Sequence, residues 1–140
     1  MKNILVSGAG GFLGSELICC LLKNPDVHVI ALSRQKERLE RLFGSYSNFE
    51  FACEFPRGID VFVNCAFPAN ANGEQLANGL DYVSRLYQKA KQQDVRAVIH
   101  ISTQSVYCQK KSAPSDETVV PDLGSKYAVG KYAIEKLTNA

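Results

Sequence analysis

Gly8, Gly11 and Gly14 stand between a short apolar run, Ile4 to Val6, and an amphipathic stretch that follows. Residues without a Cβ at this spacing let the chain reverse. They also let backbone N–H groups approach a pyrophosphate at a helix N-terminus, where the partial positive charge favours anions. The chemistry predicted is a nucleotide phosphate cradle. Two further features support it. Tyr127 and Lys131, four apart on a predicted helix, put a phenol and an ammonium on one face. Ile101-Ser102-Thr103 ends an apolar strand, with Thr103 lying 24 residues before Tyr127. Alone, the first pair reads as an ordinary helix face and Thr103 as a cap or turn residue. In this order, behind a glycine loop, they read as a site.

The elements that would hold these residues alternate between apolar runs and helical periodicity, the pattern of a parallel sheet. Strands are predicted at Ile4 to Val6, Val27 to Leu32, Asn48 to Cys53, Asp60 to Ala66 and Ala97 to Ser102, the third aromatic and suited to an edge. A helix carrying Leu13, Leu17, Ile18, Leu21 and Leu22 follows the glycines and ends at Asn24-Pro25. A short helix spans Gln35 to Leu42, and a long one runs from about Glu74 to Gln93. Gln109 to Leu123 reads as a surface loop, after which Ser125 opens a last helix that runs to the terminus. The fold class is α/β, a Rossmann-type doubly wound parallel sheet. Right-handed crossovers order its strands 3-2-1-4-5 and place the ligand at the carboxyl ends of strands 1 and 4.

At 140 residues, 46% hydrophobic and 21% charged, residues 1–140 suit one domain with its own core. A net charge of +2 without runs of like charge argues against a nucleic-acid or membrane partner. The N-terminus lacks the apolar core of a signal peptide, and no run reaches membrane-spanning length. The five cysteines, at 19, 20, 53, 65 and 108, are odd in number and lack a C-x-x-C spacing, so neither a disulfide framework nor a metal site is expected. Cys19, Cys20 and Cys65 fall in apolar runs and read as small core residues in a reducing compartment, the cytoplasm.

The glycines, the strand Asp60-Val61-Phe62-Val63-Asn64-Cys65-Ala66, the block Ser102-Thr103-Gln104-Ser105-Val106-Tyr107 and Tyr127-x-x-x-Lys131 occur in register. Together they resemble the extended short-chain dehydrogenase/reductases, the NAD-dependent epimerase/dehydratase family, over essentially the whole chain. The resemblance implies catalytic roles for Thr103, for Tyr127 as acid/base and for Lys131 as its partner. It implies a cofactor-binding set of Gly8, Gly11, Phe12, Leu13 and Gly14 in the loop, Ser33 and Arg34 after strand 2, and Cys65 and Ala66 after strand 4. Tyr127 and Lys131 belong to that set too, and so, more weakly, does Asn78, whose plain alternative is a helix-surface amide. It further implies a nucleotide-linked sugar as substrate and a homodimer formed through the long helix and the Tyr127 helix.

The chemistry of the residues agrees with those roles. A hydride leaving or joining an oxygen-bearing carbon requires a proton to move on that oxygen, and a phenol with a pKa of about 10 is a poor base at neutral pH. Lowering that pKa by about three units takes roughly 4 kcal/mol, which an ammonium about 4 Å away supplies at an effective dielectric near 20. A hydroxyl at Thr103 can donate to the developing oxyanion. Where a site for NAD would place a carboxylate, this chain has Ser33 and Arg34, a pairing suited to a 2′-phosphate, so NADP is expected ahead of NAD. The plain alternative is that Arg34 stacks on adenine or lies in solvent.

Gln104 and Ser105 stand where dehydratases of the family carry an Asp-Glu pair, which disfavours dehydration and leaves epimerisation or carbonyl reduction. Cys108 replaces a glycine common after the Val-Tyr pair. Family members are about twice as long, so the chain reads as a fragment or truncated product, with the C-terminal strands and substrate domain absent. Its fifth strand and last helix are then expected to show bare apolar surface, and the chain to self-associate. The competing class is a dinucleotide-binding sensor or scaffold without turnover, and for the 140-residue chain itself binding without useful catalysis is expected.

Overall fold

The computed structural model describes residues 1–68, 72–107 and 114–138. Cys108 and the start of the loop after it lie outside the described residues. Five parallel strands form one sheet in the order β3-β2-β1-β4-β5. They are β1 (Lys2–Ser7), β2 (Val27–Leu32), β3 (Phe49–Ala52), β4 (Val61–Asn64) and β5 (Ala97–His100). The expected order and the edge position of β3 are both found.

Four helices cover the two faces: α1 (Phe12–Leu21), α2 (Lys36–Phe43), α3 (Gly73–Gln92) and α4 (Lys126–Thr138). Alternation along the strands divides the core. Ile4, Val6, Val29, Ala31 and Val63 pack with Ile18 and Leu22 of the α1 region and with Leu39 and Phe43 of α2. Leu5, Ile30, Leu32 and Phe62 point the other way and pack with Leu86 and Ala90 of α3. Because side chains alternate with period two, Ser7, Asn64 and His100 share the α3 side with Leu5, Phe62 and Val98.

The cysteine expectation needs correction. Cys19 and Cys20 are exposed, and Cys65 is half-buried. On α1 the inward line runs through Gly14, Ile18 and Leu22. At 3.6 residues per turn Cys19 and Cys20 project roughly 100° or more from its centre. Membership of an apolar run does not place a residue inside; its angle on the helix does.

The long helix begins on a capping box absent from the sequence reading: Asn72 Oδ1 accepts from Gln75 N at 2.8 Å, and Gln75 Oε1 accepts from Asn72 N at 3.0 Å. Ser125 opens α4 as expected, its Oγ accepting from Ala128 N at 3.1 Å. Bare apolar surface also lies where it was expected. Among the described residues β5 pairs only with β4, while Ile99, Val129 and Leu137 are 48%, 46% and 39% exposed. No described helix is long and apolar enough to cross a membrane.

Candidate functional site

The carboxyl ends of β1 and β4 meet at the glycine loop. Gly8 has φ +68°, a backbone that side chains rarely adopt, and a Cβ there would lie 2.6 Å from the backbone N of Ala66. Gly11 N donates to the Gly8 carbonyl at 2.9 Å, closing the turn. A Cβ on Gly14 would run into that same carbonyl oxygen. The two glycines thus let α1 start hard against the end of β1. Gly11 is the N-cap of α1, and no side chain caps it and no acid occupies the first turn. Phe12 and Leu13, in that turn, are 85% and 47% exposed. An uncapped, acid-free helix start behind two steric glycines suits a phosphate.

At the end of β2, Ser33 Oγ accepts from Gln35 N at 3.1 Å. Gln35, which the sequence reading left out of the site, lies over the loop: a Cβ on Gly10 would come within 2.6 Å of its Oε1. Arg34 is exposed, and its charge reaches Tyr82 of α3, opposing the rise in phenol pKa caused by burial. Among the described residues no group of three or more His, Cys, Asp or Glu is placed to hold a metal.

Across the β4 end from the loop, α4 presents Tyr127, 38% exposed, and Lys131, which is buried. They share a face, as the spacing requires. The ammonium, however, donates to the Ile101 carbonyl at 2.7 Å and lies 5.9 Å from the Tyr127 ring centroid. Burial pushes the Lys131 pKa down, with Cys65 acting in the opposite direction. Burial also raises the Cys65 thiol, and the charge of Lys131 opposes that rise. Thr103 caps a single 3-10 turn, Gln104–Val106, its Oγ1 accepting from Ser105 N at 3.2 Å. Ser102 Oγ donates to Glu135 Oε1, tying the end of β5 to α4. Asn78 is exposed on α3, and no described hydrogen bond joins it to Thr103, Tyr127 or Lys131.

Beneath these residues runs a polar row that the sequence reading missed. Ser7 Oγ donates to Asn64 Oδ1 at 2.6 Å, Ala66 N donates to the same oxygen at 3.2 Å, and Asn64 Nδ2 stands 3.2 Å from His100 Nδ1. The Ala66 N–H fixes which end of the amide is oxygen, so Asn64 donates to Nδ1 and the imidazole is its Nε2–H form. Burial first, then the charge of Lys131, pushes the His100 pKa down to about 4. A histidine that protonates more readily when unfolded costs stability as pH falls from about 6.5 through 4. Stability is therefore expected to drop by about 2 kcal/mol over that interval. Urea unfolding at pH 7 and pH 4.5 checks this. His100→Phe should flatten the dependence, and an identical slope in both proteins would contradict the assignment.

The profile of the NAD dependent epimerase/dehydratase family matches residues 4–140. The chain belongs to that family. Among curated proteins, the uncharacterized UDP-glucose epimerase YtcB of Bacillus subtilis is 29% identical, over 96% of this chain and 50% of its own length. UDP-glucuronic acid 4-epimerase of Bacillus cereus, solved with UDP-4-deoxy-4-fluoro-glucuronic acid and NAD, superposes with a TM-score of 0.85 at 28% identity, over 99% of this chain and 51% of that one. The same enzyme with UDP-glucuronic acid and NAD gives 0.81 at 30% identity, over 97% and 51%. The chain spans about half the length of these relatives.

The sheet of this epimerase/dehydratase family member is of the doubly wound type, and its switch point lies between β1 and β4. The expected residues divide there into two groups. Gly8, Gly11, Phe12, Leu13 and Gly14 are gathered at the start of α1, with Ser33 and Arg34 beyond β2. Tyr127, Lys131 and Thr103 stand on the β5 side, with Cys65 and Ala66 between the groups. Asn78 lies exposed on α3, apart from both groups.

Proposed function

We propose that this chain is the nicotinamide-dinucleotide half of an oxidoreductase of the epimerase type, acting at an alcohol or carbonyl carbon of a nucleotide-linked sugar. One observation carries the reading: the phosphate cradle and the Tyr127–Lys131 face flank the same strand end, with Ala66 against Gly8 on one side and Phe67 against Tyr127 on the other. The fit to a dinucleotide lies in the helix start: without a Cβ at Gly8 or Gly14 the ends of β1 and β4 and the first turn of α1 pack hard together, and that turn is left uncapped and free of acids, as a pyrophosphate requires. Gly11, Phe12 and Leu13 would hold the phosphates, and Ser33 and Arg34 the adenine ribose. The bound cofactor supplies a hydride acceptor or donor. Tyr127 Oη moves the proton on the substrate oxygen, Lys131 favours the phenolate, and Thr103 Oγ1, whose O–H is given to Ser105 Oγ at 3.3 Å, turns that donor to the oxyanion while still capping Ser105 N.

Three structures of one relative, at 28–30% identity, were solved with NAD, which supports a nicotinamide dinucleotide. The absence of a carboxylate at Ser33 and Arg34 supports a preference for the 2′-phosphorylated form. Gln104 and Ser105 favour epimerisation or reduction over dehydration. Free thiols and the lack of a long apolar helix among the described residues support the cytoplasm. A second reading, a dinucleotide-binding module without turnover, is favoured by the bond from Lys131 to Ile101 O, which gives one of the ammonium's donors to the backbone and not to Tyr127. Parallel fluorescence titrations with NADPH and NADH test the cofactor reading. NADPH is expected to bind about tenfold tighter, one charge-assisted hydrogen bond's worth. Equal affinities would remove the 2′-phosphate preference, and no binding of either would remove the cofactor itself.

A further inference from the structure

Phe67 stands between Ala66, which packs on the glycine loop, and Tyr127. It follows Ala66, whose backbone packs on Gly8. The Phe67 ring meets Tyr127 edge to face, with centroids 5.1 Å apart and planes at 89°. Lys131 Nζ lies over the Phe67 ring, 4.6 Å from its centroid, closer than the 5.9 Å that separates it from the Tyr127 ring. Gly130 makes room for this arrangement, since a Cβ there would lie 2.9 Å from Phe67 Cζ. Phe67 is thus seated in a socket formed by Gly130 and both members of the proton-transfer pair. From that position Lys131 gives its hydrogen bond to Ile101 O.

Resting on the dinucleotide reading above, we propose that Phe67 is a plug on the nicotinamide end of the site. Its ring covers the Tyr127–Lys131 face in the free chain and is displaced by the nicotinamide ribose. A dinucleotide whose phosphates sit at the start of α1 must reach that face, where the Phe67 ring is seated against Tyr127 and Lys131. Displacing Phe67 gives up an aromatic pair and a cation–π contact, whereas a ligand that stops at the phosphates disturbs neither. The plug therefore weakens NADH binding selectively, by about tenfold, and sets the affinity of the nicotinamide end alone.

The test titrates NADH and ADP against the 140-residue chain and its Phe67→Ala variant. NADH is expected to bind about tenfold tighter to the variant, with ADP binding both proteins equally. A merely structural Phe67 moves the other way, because truncating a supporting wall loosens the site. Unchanged or weakened NADH binding with ADP binding retained overturns the plug and leaves the dinucleotide reading standing. Failure of ADP to bind either protein overturns that reading and the plug with it. If Phe67→Ala fails to fold, Phe67→Leu, which keeps apolar volume but no ring face, carries the test with the same sign. Melting temperature without ligand reports the fold in each case.

Discussion

Gly14→Val is expected to weaken dinucleotide binding by more than about a hundredfold. A Cβ at this position would run into the Gly8 carbonyl oxygen and lie 3.0 Å from Ala9 Cα, so α1 must pull away from the end of β1. That movement carries the amides of Phe12 and Leu13 with it. A charge-assisted bond to a phosphate contributes about 1.5–3 kcal/mol, and losing two accounts for the factor. Gly8 cannot compensate, because its φ of +68° and its contact with Ala66 N already require glycine there. A titration beside a circular dichroism spectrum checks the prediction. A folded variant that binds within about threefold of the wild type would show that the phosphates lie elsewhere.

Tyr127→Phe has the larger consequence for chemistry. The substitution keeps the ring that packs on Phe67 and on α4 and removes only the hydroxyl. In a form of the protein that turns over a nucleotide sugar, the rate is expected to fall about 10³-fold, the usual contribution of a positioned acid/base, while cofactor affinity stays within about twofold. Lys131→Met should show a smaller loss of the same kind, since the phenol remains and only the neighbouring charge goes. Steady-state rates with a cofactor titration on the same preparations separate the two effects. Turnover retained in Tyr127→Phe would remove the proton-transfer role from this residue.

Much of this arrangement was legible because it is periodic or steric. Strand order followed from apolar runs alternating with helices, and the glycine loop from three missing side chains read together with Thr103, Tyr127 and Lys131 in order behind them. Tyr127 and Lys131 share a face because four residues make about one helical turn. What escaped was whatever depends on a partner distant in sequence. Ser7, Asn64 and His100 each end an apolar strand as a polar residue, a visible signal, but their union required the register of three strands. Phe67 and Gly130 are unremarkable alone and meaningful only in contact. The placement of Cys19 and Cys20 in the core failed on angle, not composition. The direction taken by the Lys131 ammonium was beyond any spacing rule, because it is set by a backbone carbonyl 30 residues away.

On the proposed function, a dinucleotide held at the α1 start extends to the Tyr127–Lys131 face. Nuclear Overhauser contacts between the nicotinamide C4 hydrogens of bound NADH and tyrosine ring protons test it most directly, with spectra of the wild type and Tyr127→Phe compared for assignment. A cross-peak to the Tyr127 ring that is lost in Tyr127→Phe is the result expected. A bound NADH whose nicotinamide gives no contact with Tyr127, or contacts only Tyr82 or Tyr107, would contradict the account.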